Sequence, residues 1–211
     1  MISSVHHVFP GWGGGEGAKP RSRSRRRVLK PLAEGRAHCL TIGNAALFPL
    51  PRLVTAFMPK MISYGDLPNH VGQVLGPSRP FTITQEMIDT FADTTNDHQW
   101  VHVDVERAGR EIGGTIAHGY LVLSLIPQFT AQLLVVTGVD HGLNYGLGRV
   151  RFTAPVPASS RLVATQEIIR AEPKGAGTLF TSTVAISIAG HERPACVAET
   201  MVLLFPGSGQ V

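Results

Sequence analysis

From residue 84 onward the apolar positions fall into a helical rhythm: Met87, Ile88, Phe91 and Ala92 recur every three or four residues and share one face. Thr84 stands where an N-cap hydroxyl belongs and Glu86 suits a first turn, so the pattern predicts a helix that ends near Thr95. A polar segment, 96–104, follows as a loop, then a short helical piece around Glu106 and a turn at Gly113 and Gly114. The stretch 119–138 is different. Leu121, Val122, Leu123, Leu125, Ile126, Phe129, Leu133 and Leu134 make it apolar on nearly every side, and it holds no Asp, Glu, Lys or Arg. Such a helix must be surrounded rather than docked on one face. Pro127 inside it predicts a kink or an early break.

After Gly138 the period changes to two. Four β-rich runs are predicted, at roughly 142–153, 160–171, 178–189 and 194–205. The third is the clearest, with Val184, Ile186 and Ile188 on one face against Ala185 and Ser187 on the other. Long antiparallel strands after one buried helix describe an α+β domain in which the sheet wraps around the helix.

Composition changes the picture only at the front of the chain. With 211 residues and 43% hydrophobic content, the chain can bury one good core but hardly two. Residues 1–60 combine the Gly-rich run 11–17, the Arg-rich run 21–27 and scattered prolines without periodicity, which is the composition of a disordered extension. The folded domain is therefore expected over 61–211. The net charge of +4 invites a nucleic-acid reading, but residues 1–60 hold 10 of the 19 Lys and Arg, with only Glu16 and Glu34 opposing them. The body is left acidic, whereas a phosphate-tracking surface needs its positive charge on the folded part. Cys39 and Cys196 are too few and too far apart for a disulfide framework or a zinc cage, which fits a reducing cytoplasm; Cys196 reads as a small strand residue. No run reaches the roughly 18 apolar residues of a membrane span.

The densest cluster of reactive side chains is Asn96-Asp97-His98-Gln99-Trp100-Val101-His102-Val103-Asp104. An Asp and a His five residues apart diverge by about 140° on a straight helix, so Asp97 and His102 can converge only where the chain leaves the helix. A carboxylate and an imidazole that share one water can take a proton from it and return one, the general acid–base arrangement that hydration of a conjugated thioester needs. The developing oxyanion needs preorganised donors. Backbone N–H groups at the apolar helix start Ala117-His118-Gly119 suit it, and the absence of a Cβ at Gly119 lets a carbonyl approach closely.

These residues also resemble a family. Asp97-His98-Gln99-Trp100-Val101-His102, followed by Ala117-His118-Gly119-Tyr120-Leu121, is similar to the MaoC-like dehydratases and (R)-specific enoyl-CoA hydratases, and among them to the nodulation-protein-N branch. The family pattern is D-x-N-P-aliphatic-H; the chain keeps Asp97 and His102 and departs at Gln99, which retains an amide, and at Trp100. The similarity continues through Leu143-Asn144-Tyr145-Gly146-Leu147, Val150-Arg151-Phe152 and Ala154-Pro155-Val156, over roughly 71–205. It implies a single hotdog fold that forms a homodimer. Asp97 and His102 are then catalytic, and Gly119, Gln99, His118 and Tyr120 line the oxyanion and substrate site. No metal or other cofactor is implied, the partner being a CoA or carrier-protein thioester.

Other readings of the same residues are a metal site built on His98, His102 and Asp104, a hotdog thioesterase, and a non-catalytic acyl-thioester binding module. A common thioesterase arrangement needs a carboxylate on the central helix, which 119–138 lacks. Arg151 reads as an exposed strand residue, with a CoA phosphate as its functional alternative. Because the periodic pattern and every proposed site residue lie beyond it, deleting residues 1–60 should leave folding and activity largely intact. An insoluble or inactive truncated chain, judged by gel filtration and assay, would place the extension inside the domain.

Overall fold

The structure, a computed structural model, describes residues 58–207, so the expectation for the front segment falls almost wholly outside the described residues. In chain order the elements are β1 (Lys60–Ser63), a 3-10 turn (Tyr64–His70), β2 (Val74–Leu75), β3 (Phe81–Thr82), α1 (Gln85–Thr95), α2 (Trp100–Val103), α3 (Val105–Glu111), α4 (Gly119–Ser124), α5 (Ile126–Leu133), β4 (Leu134–Thr137), β5 (Val139–Phe152), β6 (Arg161–Lys174), β7 (Gly177–Ile188) and β8 (Cys196–Pro206). The four β-rich runs are thus four long strands. They form one antiparallel sheet in the order β2-β6-β7-β8-β5, with β3 also paired to β6. This is the expected α+β hotdog arrangement, a sheet laid around a helical core.

Period-two alternation decides which face of the sheet meets the helices. Leu162 and Ala164 of β6, Val184 and Ile186 of β7, and Cys196 and Ala198 of β8 are buried against Leu121, Val122, Leu125, Ile126 and Phe129. A second cluster gathers Ile62, Leu67, Leu75, Leu133, Ile168, Phe180 and Leu204. Between the two, a buried polar row crosses three strands: Gln166 Nε2 donates to Ser182 Oγ at 3.0 Å, and the Ser182 and Thr200 hydroxyls are 2.9 Å apart. The Cys196 thiol, buried at the start of β8, is pushed up to about 11 by burial, in keeping with a packing residue rather than a nucleophile.

The apolar stretch 119–138 is not one helix. It is α4, then α5, then β4. Leu125 joins the two helices, and Pro127 sits in the first turn of α5, where its missing N–H leaves no hydrogen bond unmade. The proline therefore marks where the second helix begins. Val135, Val136 and Thr137 are β-branched and adopt the extended form, pairing in parallel with β1 from Lys60↔Leu134 to Ser63↔Thr137. Nor are the helices covered all round: Tyr120 is 71% exposed, and Pro127 and Gln128 face solvent. Among the described residues no helix is long and apolar enough to cross a membrane.

Phe129 is the largest fully buried side chain, set edge-on to Phe81 at 6.2 Å between ring centres. Phe129→Ala should therefore cost about 3–5 kcal/mol of stability, read from the urea midpoint at unchanged slope.

Candidate active site

The local fold solves the convergence problem posed by a five-residue spacing. Thr84 caps α1 by accepting the Met87 N–H at 3.3 Å, and the helix ends at Asn96 in the left-handed conformation (φ 56°, ψ 30°), which asparagine tolerates well. The Asp97 N–H closes the turn on the Ala92 carbonyl at 3.1 Å. Beyond it the chain enters α2, whose third residue is His102. Asp97 and His102 thus sit on either side of a bend rather than on one helix.

His102 is 9% exposed and its ring is fixed by backbone. Nδ1–H donates to the Ile116 carbonyl at 2.7 Å, while the Ile116 N–H donates to the Val101 carbonyl at 3.0 Å. A carbonyl can only accept, so the proton belongs on Nδ1 and Nε2 presents a lone pair. Burial holds the His102 pKa below its ordinary value of 6.5. The Ile116 hydrogen bond opposes that shift, repulsion from His118 adds to it, and attraction from Asp97 opposes it. The result is a neutral imidazole poised to accept a proton.

His118 immediately precedes α4 and is 2% exposed. Its Nε2–H donates to the main-chain carbonyl of Asp97 at 2.9 Å, tying the helix start to the loop that carries the carboxylate. Its ring stacks on His102 with 3.8 Å between centres and 29° between planes, and its Nδ1 is buried without a partner. Asp97, His102 and His118 offer atoms that all lie within 4.8 Å of one another, close enough to be considered as ligands of one cation.

The remaining predicted residues divide. Gly119 opens α4, its N–H has no acceptor within the helix, and an added Cβ would lie 3.1 Å from the Phe152 ring, a tight contact that the ring would have to relieve by shifting. Tyr120 lies beside it, edge-on to Phe152 at 6.0 Å, but points outward. Gln99 is exposed and its side chain does not cap α2; its carbonyl accepts the His102 N–H at 2.9 Å. His98 is exposed, 3.7 Å from Asp93, and Asp104 caps α3 through the Arg107 N–H at 2.9 Å, so His98, His102 and Asp104 form no common site. Arg151 is an exposed strand residue whose Nη1 donates to the Val150 carbonyl. Two contributors carried no sequence signal. The Ile116 carbonyl is main chain, and Gln85, which donates to the His102 carbonyl at 2.8 Å, reads as an ordinary first-turn residue.

A sheet curled over helices, with a buried imidazole and a carboxylate brought together beside a glycine-led helix start, defines a protein of the hotdog class. Residues 66–187 match the family model described as MaoC like domain. The 3-hydroxyacyl-thioester dehydratase Z of Mycobacterium tuberculosis is 46% identical over 142 residues, covering 66% of this chain and 94% of its own. Nodulation protein N of Rhizobium leguminosarum bv. viciae is 41% identical over 147 residues, covering 68% and 91%. Among solved structures, the (R)-hydratase from A. caviae involved in PHA biosynthesis shares the fold at TM-score 0.52 and 23% identity, over 63% of this chain and 94% of that one. The chain belongs to the MaoC-like family of hotdog dehydratases and hydratases.

For a reaction in which His102 accepts a proton, the ring must be neutral, so turnover should fall only as the pH drops through its depressed pKa. The acid limb of kcat/KM should therefore lie below 6.5. A limb at or above that value, or an NMR titration of the His102 ring near it, contradicts the burial argument.

Proposed function

We propose that this chain catalyses the reversible, (R)-specific addition of water to 2-enoyl thioesters, interconverting enoyl-CoA and 3-hydroxyacyl-CoA. The observation that carries the reading is the meeting of Asp97 with a buried, backbone-fixed His102, their ligand atoms within 4.8 Å of each other, next to the start of α4. In the hydration direction His102 Nε2 takes a proton from the shared water as its oxygen bonds to C3. The C2–C3 π electrons move toward the thioester, whose oxygen accepts from the Gly119 N–H, and the acid–base pair returns a proton to C2. Dehydration is the reverse. His118 holds the Asp97 loop in place and lines the site, with Gln99 and Tyr120 at its exposed margin.

Several observations support this over its rivals. A relative 46% identical bears the name of a 3-hydroxyacyl-thioester dehydratase. Neither α4 nor α5 contains a carboxylate, against the thioesterase reading. A binding module has no use for an imidazole held in one tautomer beside a carboxylate. The chemistry needs only proton transfer and charge stabilisation, and so no metal or redox cofactor. We also propose a homodimer. β5 is a 14-residue edge strand bearing the exposed side chains of Leu143, Tyr145 and Leu147, and it ends at Phe152 beside Tyr120. An edge that long and that apolar invites a partner, and a second copy would cover it.

The test is hydration of crotonyl-CoA in chelator-treated buffer, followed at the enone absorbance, with chiral analysis of the product. Asp97→Asn and His102→Ala should each lower kcat by roughly 10²–10⁴-fold with the fold preserved. Because both side chains hold one water, the double variant should be little worse than the poorer single. Fully multiplicative losses contradict the shared water, and near-wild-type turnover in either single removes the pair as the catalytic site.

A further inference from the structure

α2 has four residues, too few to sustain itself, and the carbonyl of its third, His102, lies among those with no partner in the helix. Gln85, at the start of α1, supplies the missing donor. Its Nε2 donates to the His102 carbonyl at 2.8 Å and to Asp89 Oδ1 at 2.8 Å, and its Oε1 accepts from the Thr115 hydroxyl at 2.5 Å. The carbonyl and the carboxylate can only accept, so the amide fits one way round and all of its polar hydrogens are used.

Thr115 adjoins Ile116, whose carbonyl holds the His102 ring, and the Thr115 carbonyl accepts the Ala158 N–H at 2.9 Å. The contacts close on themselves: Gln85 to the His102 main chain, the His102 ring to Ile116, and Thr115 back to Gln85. Both ends of the imidazole residue are held by one circuit.

We propose that Gln85 is a positioning residue for the acid–base pair. Its carboxamide fixes the spacing between α2 and the 115–117 segment, and thereby the Nδ1–H tautomer of His102 and the direction of Nε2. The role rests on the reading of His102 as the base, and Gln85 itself touches no reacting atom. The charged or titratable groups around the circuit are Asp97 and His118 on the ring side of His102 and Asp89 on the far side of Gln85.

A merely structural contact would cost stability without altering the base, so the test reads the acid limb as well as the rate. Gln85→Met keeps length and neutrality but removes all three hydrogen bonds. Crotonyl-CoA hydration by this variant should lose about 10–100-fold in kcat with KM little changed, the scale for loosening a group that orients a reacting one. The acid limb of its kcat/KM profile should rise toward the ordinary imidazole value as water reaches the ring, because burial, the larger influence on His102, outweighs the Ile116 hydrogen bond that opposes it. Thr115→Val should shift both in the same direction, and Thr115→Ser, which keeps the hydroxyl, should restore them. If Gln85→Met fails to fold, the Thr115 pair decides alone. Wild-type kcat in a folded Gln85→Met, or a lower kcat with an unmoved acid limb, overturns the role while an inactive His102→Ala leaves the base reading standing. An active His102→Ala removes the base itself and the positioning role with it.

Discussion

The hydrogen bond from His102 Nδ1 to the Ile116 carbonyl, 2.7 Å long, is where the backbone geometry of the domain becomes chemistry. It fixes the tautomer, and with it which nitrogen is free. It exists because 115–117 runs extended between two neighbours: the Ile116 N–H reaches back to Val101, while the Ala117 N–H donates to the Val156 carbonyl at 2.8 Å and a bridge joins Ile116 to Pro157. Those contacts hold only while α2 and the 156–158 loop stay in register with each other. That register is set by the sheet and by the core beneath it.

Packing gives the site its second property, dryness. His102 and His118 are both buried, and Phe91 of α1 closes over His118 at 5.1 Å between ring centres. His102 there loses more by being charged than an imidazole in water, and repulsion from the neighbouring His118 adds to that cost. Stability and basicity therefore compete in one place. The fold accepts a buried pair of histidines, one with an unpartnered nitrogen, where apolar residues would be easier to bury.

How much of this could be read from the chain depended on whether the signal was local. Thr84, Met87, Ile88, Phe91 and Ala92 announce α1 because cap and stripe lie within one window. Alternation across Val184 to Ile188 announces β7 for the same reason. Leu134–Thr137 misleads because it continues an apolar run, and a short apolar run does not distinguish helix from strand; its partner β1 is more than 70 residues away in sequence by the register Lys60↔Leu134. Asp97 and His102 were visible as side chains with chemistry. What makes His102 usable was not, since a main-chain carbonyl leaves no mark in a sequence and Gln85 resembles any polar residue in a first turn. Asn96 offered a clue to the bend, because asparagine is among the few residues that enter the left-handed region cheaply.

The edge strand connects the assembly question to the catalytic one. Phe152, the last residue of β5, lies so close to Gly119 that a Cβ there would press on its ring, so the end of the strand packs directly on the start of α4. Leu143, Tyr145 and Leu147, farther along β5, are exposed around a register shift between Asn144 and Gly146. A partner along that edge would run up to Phe152, the residue packed against the start of α4. Charge flanks the ring at this end, since Arg149 and Arg151 are both exposed, while Tyr120 stands across from Phe152 with most of its surface uncovered. Any surface docked there would meet Tyr120 and Phe152 together, the two rings beside the start of α4.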